Sequence, residues 1–151
     1  MPTITAQTIW DNHPAPDSPC STELFSNQCA IRMTVALEKS GVDTSSFNKM
    51  FPQRRCNTYW SCRNHKPGHI LAAQELADWM HANPTIFGTT KQSPKGTKVS
   101  SANYVGKKGI VFIMNGWGST DHIDIWDGSS MKGGSPQYFS LGEQVWFWEL
   151  P

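Results

Sequence analysis

The sequence predicts an α+β domain in which N-terminal helices pack on an antiparallel sheet. Three observations carry this. Apolar residues recur at helical spacing in two segments of the N-terminal half. After residue 108 they give way to short strand-like runs. Turn signals, not further helices, divide those runs. The 151 residues suit one domain with its own core, so residues 1–151 are read as a single unit.

Residues 1–25 hold Pro14, Pro16 and Pro19 among Asp and Ser, which predicts an irregular lead-in wrapping the domain. Residues 27–40 (NQCAIRMTVALEKS) predict a largely buried helix, with Ser26 or Asn27 to cap its start and Gly41 its end. A second helix is expected over 68–82, with Leu71, Ala72, Leu76, Trp79 and Met80 inward and Pro84 stopping it. Residues 90–108 are polar and turn-rich and predict a loop. Gly109–Met114 (GIVFIM) predicts a buried strand, and His122–Trp126 a second one closed by the turn pair Asp127-Gly128. Gln144–Leu150 predicts a third, with Val145, Phe147 and Glu149 on one face and Trp146 and Trp148 on the other.

Composition narrows the function. Charged residues are 17% of the chain and the net charge is +1. The basic residues are scattered, the densest groups being Arg54–Arg55 and Lys107–Lys108, so the stripe of a nucleic-acid binder is missing. No apolar stretch reaches the length of a membrane span. The opening MPTITAQTIW lacks a basic region followed by an apolar run, so a protein made in the cytoplasm without a cleaved secretory signal is expected. Aromatics reach 11%, which suits a groove for an extended or carbohydrate-bearing ligand, or simply a bulky core.

Cys29 falls in the first turn of the first long helix, where unpaired N–H groups and the helix dipole favour a thiolate and can hold an oxyanion. A buried structural cysteine is the blander reading of the same position. His122 opens a strand after the Gly-rich stretch Gly116-Trp117-Gly118, and Asp124 two residues on shares its face. A carboxylate so placed can orient an imidazole. Cysteine hydrolases need a thiolate, a base and an orienting group. A rival set, Cys56, Cys62, His65 and His69, has zinc-binding residue types, but its spacing fits a Cys56–Cys62 disulfide better than a finger. With Cys29 as nucleophile, one disulfide and one further thiol is the simplest use of the four cysteines.

The segments Ser26–Leu37 (SNQCAIRMTVAL), Gly106–Ile113 (GKKGIVFI), Gly116-Trp117, His122–Gly128 (HIDIWDG) and Trp148–Pro151 (WELP) resemble the type VI secretion amidase effectors, fourth family. The resemblance implies a papain-like, NlpC/P60-type fold and a peptidoglycan amidase. Such an enzyme cuts the stem peptide between D-glutamate and diaminopimelate. It implies an antibacterial toxin carried by the type VI machinery into the target cell's periplasm and neutralised by a cognate immunity protein. By position, Cys29 matches the nucleophile and His122 the base. A relative has an Asp eleven residues after its His, where this sequence has Gly133. Asp124 is therefore expected to orient His122, with Asp127 as second choice. The relative's cysteine pair after the His strand is missing too, which sends any disulfide elsewhere. Gly116, Trp117 and Gly118 are expected to line the substrate groove, and neither metal nor cofactor is required. Two other readings stand beside this one: a cysteine hydrolase of another amide, and a non-enzymatic binding module stabilised by zinc.

Overall fold

A computed structural model of the chain describes residues 4–23, 25–56 and 68–151. The N-terminal part supplies helices α1 (Ala6–Asn12), α2 (Cys29–Lys39) and α3 (Phe47–Met50). A small antiparallel pair follows, β1 (Arg55–Cys56) with β2 (His69–Ile70), then helices α4 (Ala73–His81) and α5 (Pro84–Phe87). The remaining strands, β3 (Lys91–Gln92), β4 (Gly109–Trp117), β5 (Thr120–Trp126) and β6 (Gln144–Glu149), form one antiparallel sheet in the order β3-β6-β4-β5. Two 3-10 turns, Ser101–Asn103 and Pro136–Ser140, flank it.

β4 lies between β5 and β6, and this explains its unbroken apolar run: it is buried on both faces. Ile110 and Phe112 join Ile123, Ile125, Trp146 and Trp148 in the core shared with α1, α2 and α4. Val111 and Ile113 face the other way and join Val145, Phe147, Trp126, Met131 and Phe139 beneath the Pro136–Ser140 turn. β6 alternates as its sequence pattern predicts, tryptophans to the helices and Val145 and Phe147 to the turns. In register, His122 stands opposite Ile113 and Asp124 opposite Val111, which fixes both on one face of the edge strand β5.

The structure corrects four boundaries. The lead-in contains a helix, α1: Thr5 Oγ1 accepts the Thr8 N–H at 3.2 Å, Ile9 is fully buried, and Ala6 N–H donates to Pro151 O at 2.9 Å. It is too short for its period to show beside three prolines. The second long helix starts at Ala73, not 68. Gly68 takes φ +105°, His69–Ile70 pairs with β1, and Ile70 N–H donates to Thr34 Oγ1 at 3.1 Å, so a tertiary bond claims the segment. Pro84 also opens a short helix of its own, where its missing N–H costs nothing. Within the expected loop 90–108, Lys91 and Gln92 pair with Phe147 and Trp146, a contact made by the partner strand's pattern rather than by their own.

Gly109 leaves no room for a side chain between β4 and β6: a Cβ there would lie 2.0 Å from Trp148 O. Gly109→Ala is expected to destabilise the fold by about 2 kcal/mol or more, in the range of overpacked cores. Urea unfolding checks this, and an unchanged midpoint would show that the strands part without cost.

Candidate active site

α2 begins at Cys29 after Gln28 at the cap position, and the Asn27 side chain holds the first helical N–H: Asn27 Oδ1 accepts from Cys29 N at 3.2 Å. The same amide donates from Nδ2 to Asp121 O at 3.2 Å, tying the helix start to β5. Cys29 is buried, its Sγ 3.9 Å from Asp121 O and near enough to His122 to favour the charged form of that ring. A helix start and an edge strand thus bring together two residues 93 positions apart.

His122 is nearly buried, and its Nε2 lies 2.8 Å from Asp124 Oδ2. That leaves Nδ1 for the sulfur. Trp117 and Tyr138 set their rings edge-on to the imidazole, at centroid distances of 5.8 and 5.1 Å. Burial alone would lower the His122 pKa, but the hydrogen bond to Asp124 and the neighbouring Cys29 sulfur outweigh it and raise the pKa from 6.5 to about 9. The ring is therefore an imidazolium at neutral pH. Its charge supports folding fully below pH 6.5, and that support is lost as pH rises through about 9.

Asp124 has no exposed surface. Its Oδ1 accepts the Ile125 N–H at 2.8 Å, and both oxygens accept the Gly133 N–H at 3.0 Å. The position where a relative carries an Asp thus supplies a backbone donor here. A Cβ on Gly133 would lie 3.1 Å from Asp124 Oδ2, so any larger residue there would press on the carboxylate. Asp127, the second choice, is remote from this chemistry: its Oδ1 accepts the Ser129 and Ser130 N–H groups in the turn after β5.

An open cleft of about 270 Å³ lies in front of His122, lined also by Ser26, Asn27, Trp117, Thr120, Asp121 and Tyr138. Of the three groove residues expected from sequence, only Trp117 lines it. Gly116 packs near Ile113 and Leu141, and Gly118 takes φ +72° in the turn between β4 and β5. Tyr138 was not legible in the sequence, because the polar stretch around it has no period. Asn27 was legible only as a helix cap. The rival zinc set loses Cys56, which is disulfide-bonded. His69 turns Nδ1 to Cys20 Sγ at 3.0 Å, and Cys62 and His65 lie outside the described residues.

A thiol, an imidazole and a buried carboxylate gathered beside a cleft that the imidazole lines can carry acyl transfer from an amide. Residues 25–148 match the model of the type VI secretion system amidase effector protein 4 family, Tae4. The chain belongs to the Tae4 family. It is a peptidoglycan amidase that cuts between D-glutamate and diaminopimelate, an antibacterial effector delivered by the type VI system into the target periplasm. Among the described residues no helix is long and apolar enough to cross a membrane.

Solved structures agree on the fold. The Tae4 effector of Enterobacter cloacae superposes with a TM-score of 0.69 at 16% identity, over 100% of both chains. The Tae4–Tai4 effector-immunity complex of Salmonella Typhimurium gives 0.68 at 19%, over 98% of this chain and 99% of that one. The corresponding Enterobacter cloacae complex gives 0.66 at 19%, with the same coverage. No curated protein matches the sequence. The shared fold is the papain-like, NlpC/P60-type arrangement of helices against an antiparallel sheet.

The raised His122 pKa sets a pH profile. Activity that needs the imidazolium is expected to fall on a basic limb near pH 9, and Asp124→Asn to move that limb toward 6.5. Initial rates across pH test this, and a wild-type limb near 6.5 would contradict it.

Proposed function

We propose that Cys29, His122 and Asp124 perform the hydrolysis in the roles of nucleophile, acid–base and orienting carboxylate. The observation that carries this is the 2.8 Å bond from His122 Nε2 to Asp124 Oδ2, with the Cys29 sulfur on the other side of the ring. The Cys29 thiolate attacks the stem-peptide carbonyl carbon, and its electron pair forms the C–S bond while the carbonyl oxygen takes the charge. His122 then passes its proton to the departing diaminopimelate nitrogen as the C–N bond breaks. Water, deprotonated by His122, attacks the thioester and releases Cys29 and a D-glutamate carboxylate. No step calls for a metal.

The oxyanion needs donors. Cys29 N–H is the nearest by position, but Asn27 Oδ1 holds it. Asn27 lines the cleft, so a substrate oxygen seated there competes for that N–H. Trp117 and Tyr138 wall the cleft beside His122 and exclude water from one side of the imidazole. The related effectors were solved bound to Tai4 immunity proteins, and we infer that a cognate immunity protein binds this chain.

Digestion of purified peptidoglycan, with separation and weighing of the fragments, tests the assignment. The wild type should release fragments cut after D-glutamate and Cys29→Ala none. Asp124→Asn should lose about 100-fold in rate, the scale of lost acid–base assistance. Asp127→Asn should stay within about 3-fold, as a surface substitution does. The opposite ranking of the two aspartates would overturn the role of Asp124. Fragments cut at another bond would point to a different amide substrate.

A further inference from the structure

A second histidine stands on the far side of Asp124. His13, at the end of α1, is 3% exposed, and its Nε2 lies 3.6 Å from Asp124 Oδ1. Its other nitrogen is committed: Nδ1 accepts the Ala15 N–H at 3.3 Å. A neutral imidazole that accepts at Nδ1 must carry its proton on Nε2. That N–H is buried without a hydrogen-bond partner among the described residues, and the carboxylate oxygen at 3.6 Å is the group it faces at longer, electrostatic range. The surroundings keep the ring neutral. Burial lowers its pKa from 6.5 to about 4, against the attraction of Asp124 and with Lys132, Arg32 and His122 adding to the fall. Gly133 closes the fourth side, where a Cβ would lie 3.1 Å from Asp124 Oδ2 and 3.3 Å from His13 Cε1.

We propose that His13 is a positioning residue: its Nε2–H holds Asp124 Oδ1, so that Oδ2 stays aimed at His122. Oδ1 is then fixed by His13, Ile125 and Gly133, and rotation of the carboxylate away from His122 is opposed from three directions. The lead-in ahead of α2 thereby belongs to the catalytic apparatus. The proposal rests on Asp124 being the orienting carboxylate.

Two substitutions separate positioning from packing. His13→Asn places an amide oxygen where Nδ1 sits, so it keeps the bond to Ala15 but cannot reach Asp124. His13→Gln places an amide nitrogen near Nε2, so it keeps the donor to Asp124 and gives up the bond to Ala15. Positioning predicts that Asn keeps its melting temperature yet loses about 10-fold in kcat at unchanged KM, the scale of a misplaced catalytic group. Gln should melt lower and recover most of that kcat per folded molecule. If kcat instead follows melting temperature in both variants, His13 only packs and the proposal falls. Asp124→Asn, run alongside, separates the two readings. Full activity there removes the role of Asp124 itself, whereas loss there with full activity in His13→Asn removes only that of His13. Nitrogen-15 NMR of the wild type needs no variant to fold. The Nε2–H tautomer of His13 at pH 7 is expected, and Nδ1–H would overturn the proposal.

Discussion

A carboxylate sealed from water governs the geometry of this site. An ionised group that is fully buried is costly unless its lone pairs are met. Asp124 meets them with the Gly133 and Ile125 N–H groups and with His122. The same contacts that make its burial tolerable fix its direction. The imidazole held against it cannot turn without giving up its bond to Oδ2 in a dry interior. The raised His122 pKa follows, since the ring is charged most readily where a fixed acceptor and a sulfur flank it. Trp117 and Tyr138 complete the enclosure from the cleft side.

The fold serves this by placing a helix start against an edge strand. β5 pairs with β4, α1 and α2 pack against it, and Met131 bridges its far edge at Trp126. Strand alternation points His122 and Asp124 the same way, while Ile123 and Ile125 anchor the strand in the helical core. The Asn27 amide bridges the first turn of α2 to the backbone of Asp121. Helix and strand therefore keep their spacing through a polar clamp next to the sulfur, not only through the apolar core behind it.

What could be read from the sequence was what local pattern encodes. The helix carrying Cys29 has a period, β5 and β6 alternate, and β4 is a short apolar run before a turn. The two-residue spacing of His122 and Asp124 is a strand signal in itself. The unread parts depend on contacts between distant segments. Lys91 and Gln92 become a strand because β6 offers an edge, and His69–Ile70 leaves the helical pattern because β1 and Thr34 bind it. Tyr138 and His13 reach the site from stretches without period, one after β5 and one before α2. Gly133 shows the limit most clearly. Its residue type suggested a missing carboxylate, and only its backbone position revealed that it binds the carboxylate of a neighbouring strand.

The coupling of His122 to a buried carboxylate is tested most directly by following the His122 ring nitrogens by nitrogen-15 NMR as pH is raised. Both nitrogens should remain protonated through neutral pH, with the transition near 9 and the Nε2 proton shifted by its bond to Asp124. A neutral ring already at pH 7, titrating near the ordinary 6.5, would mean that Asp124 does not hold it and that the site is organised by something else.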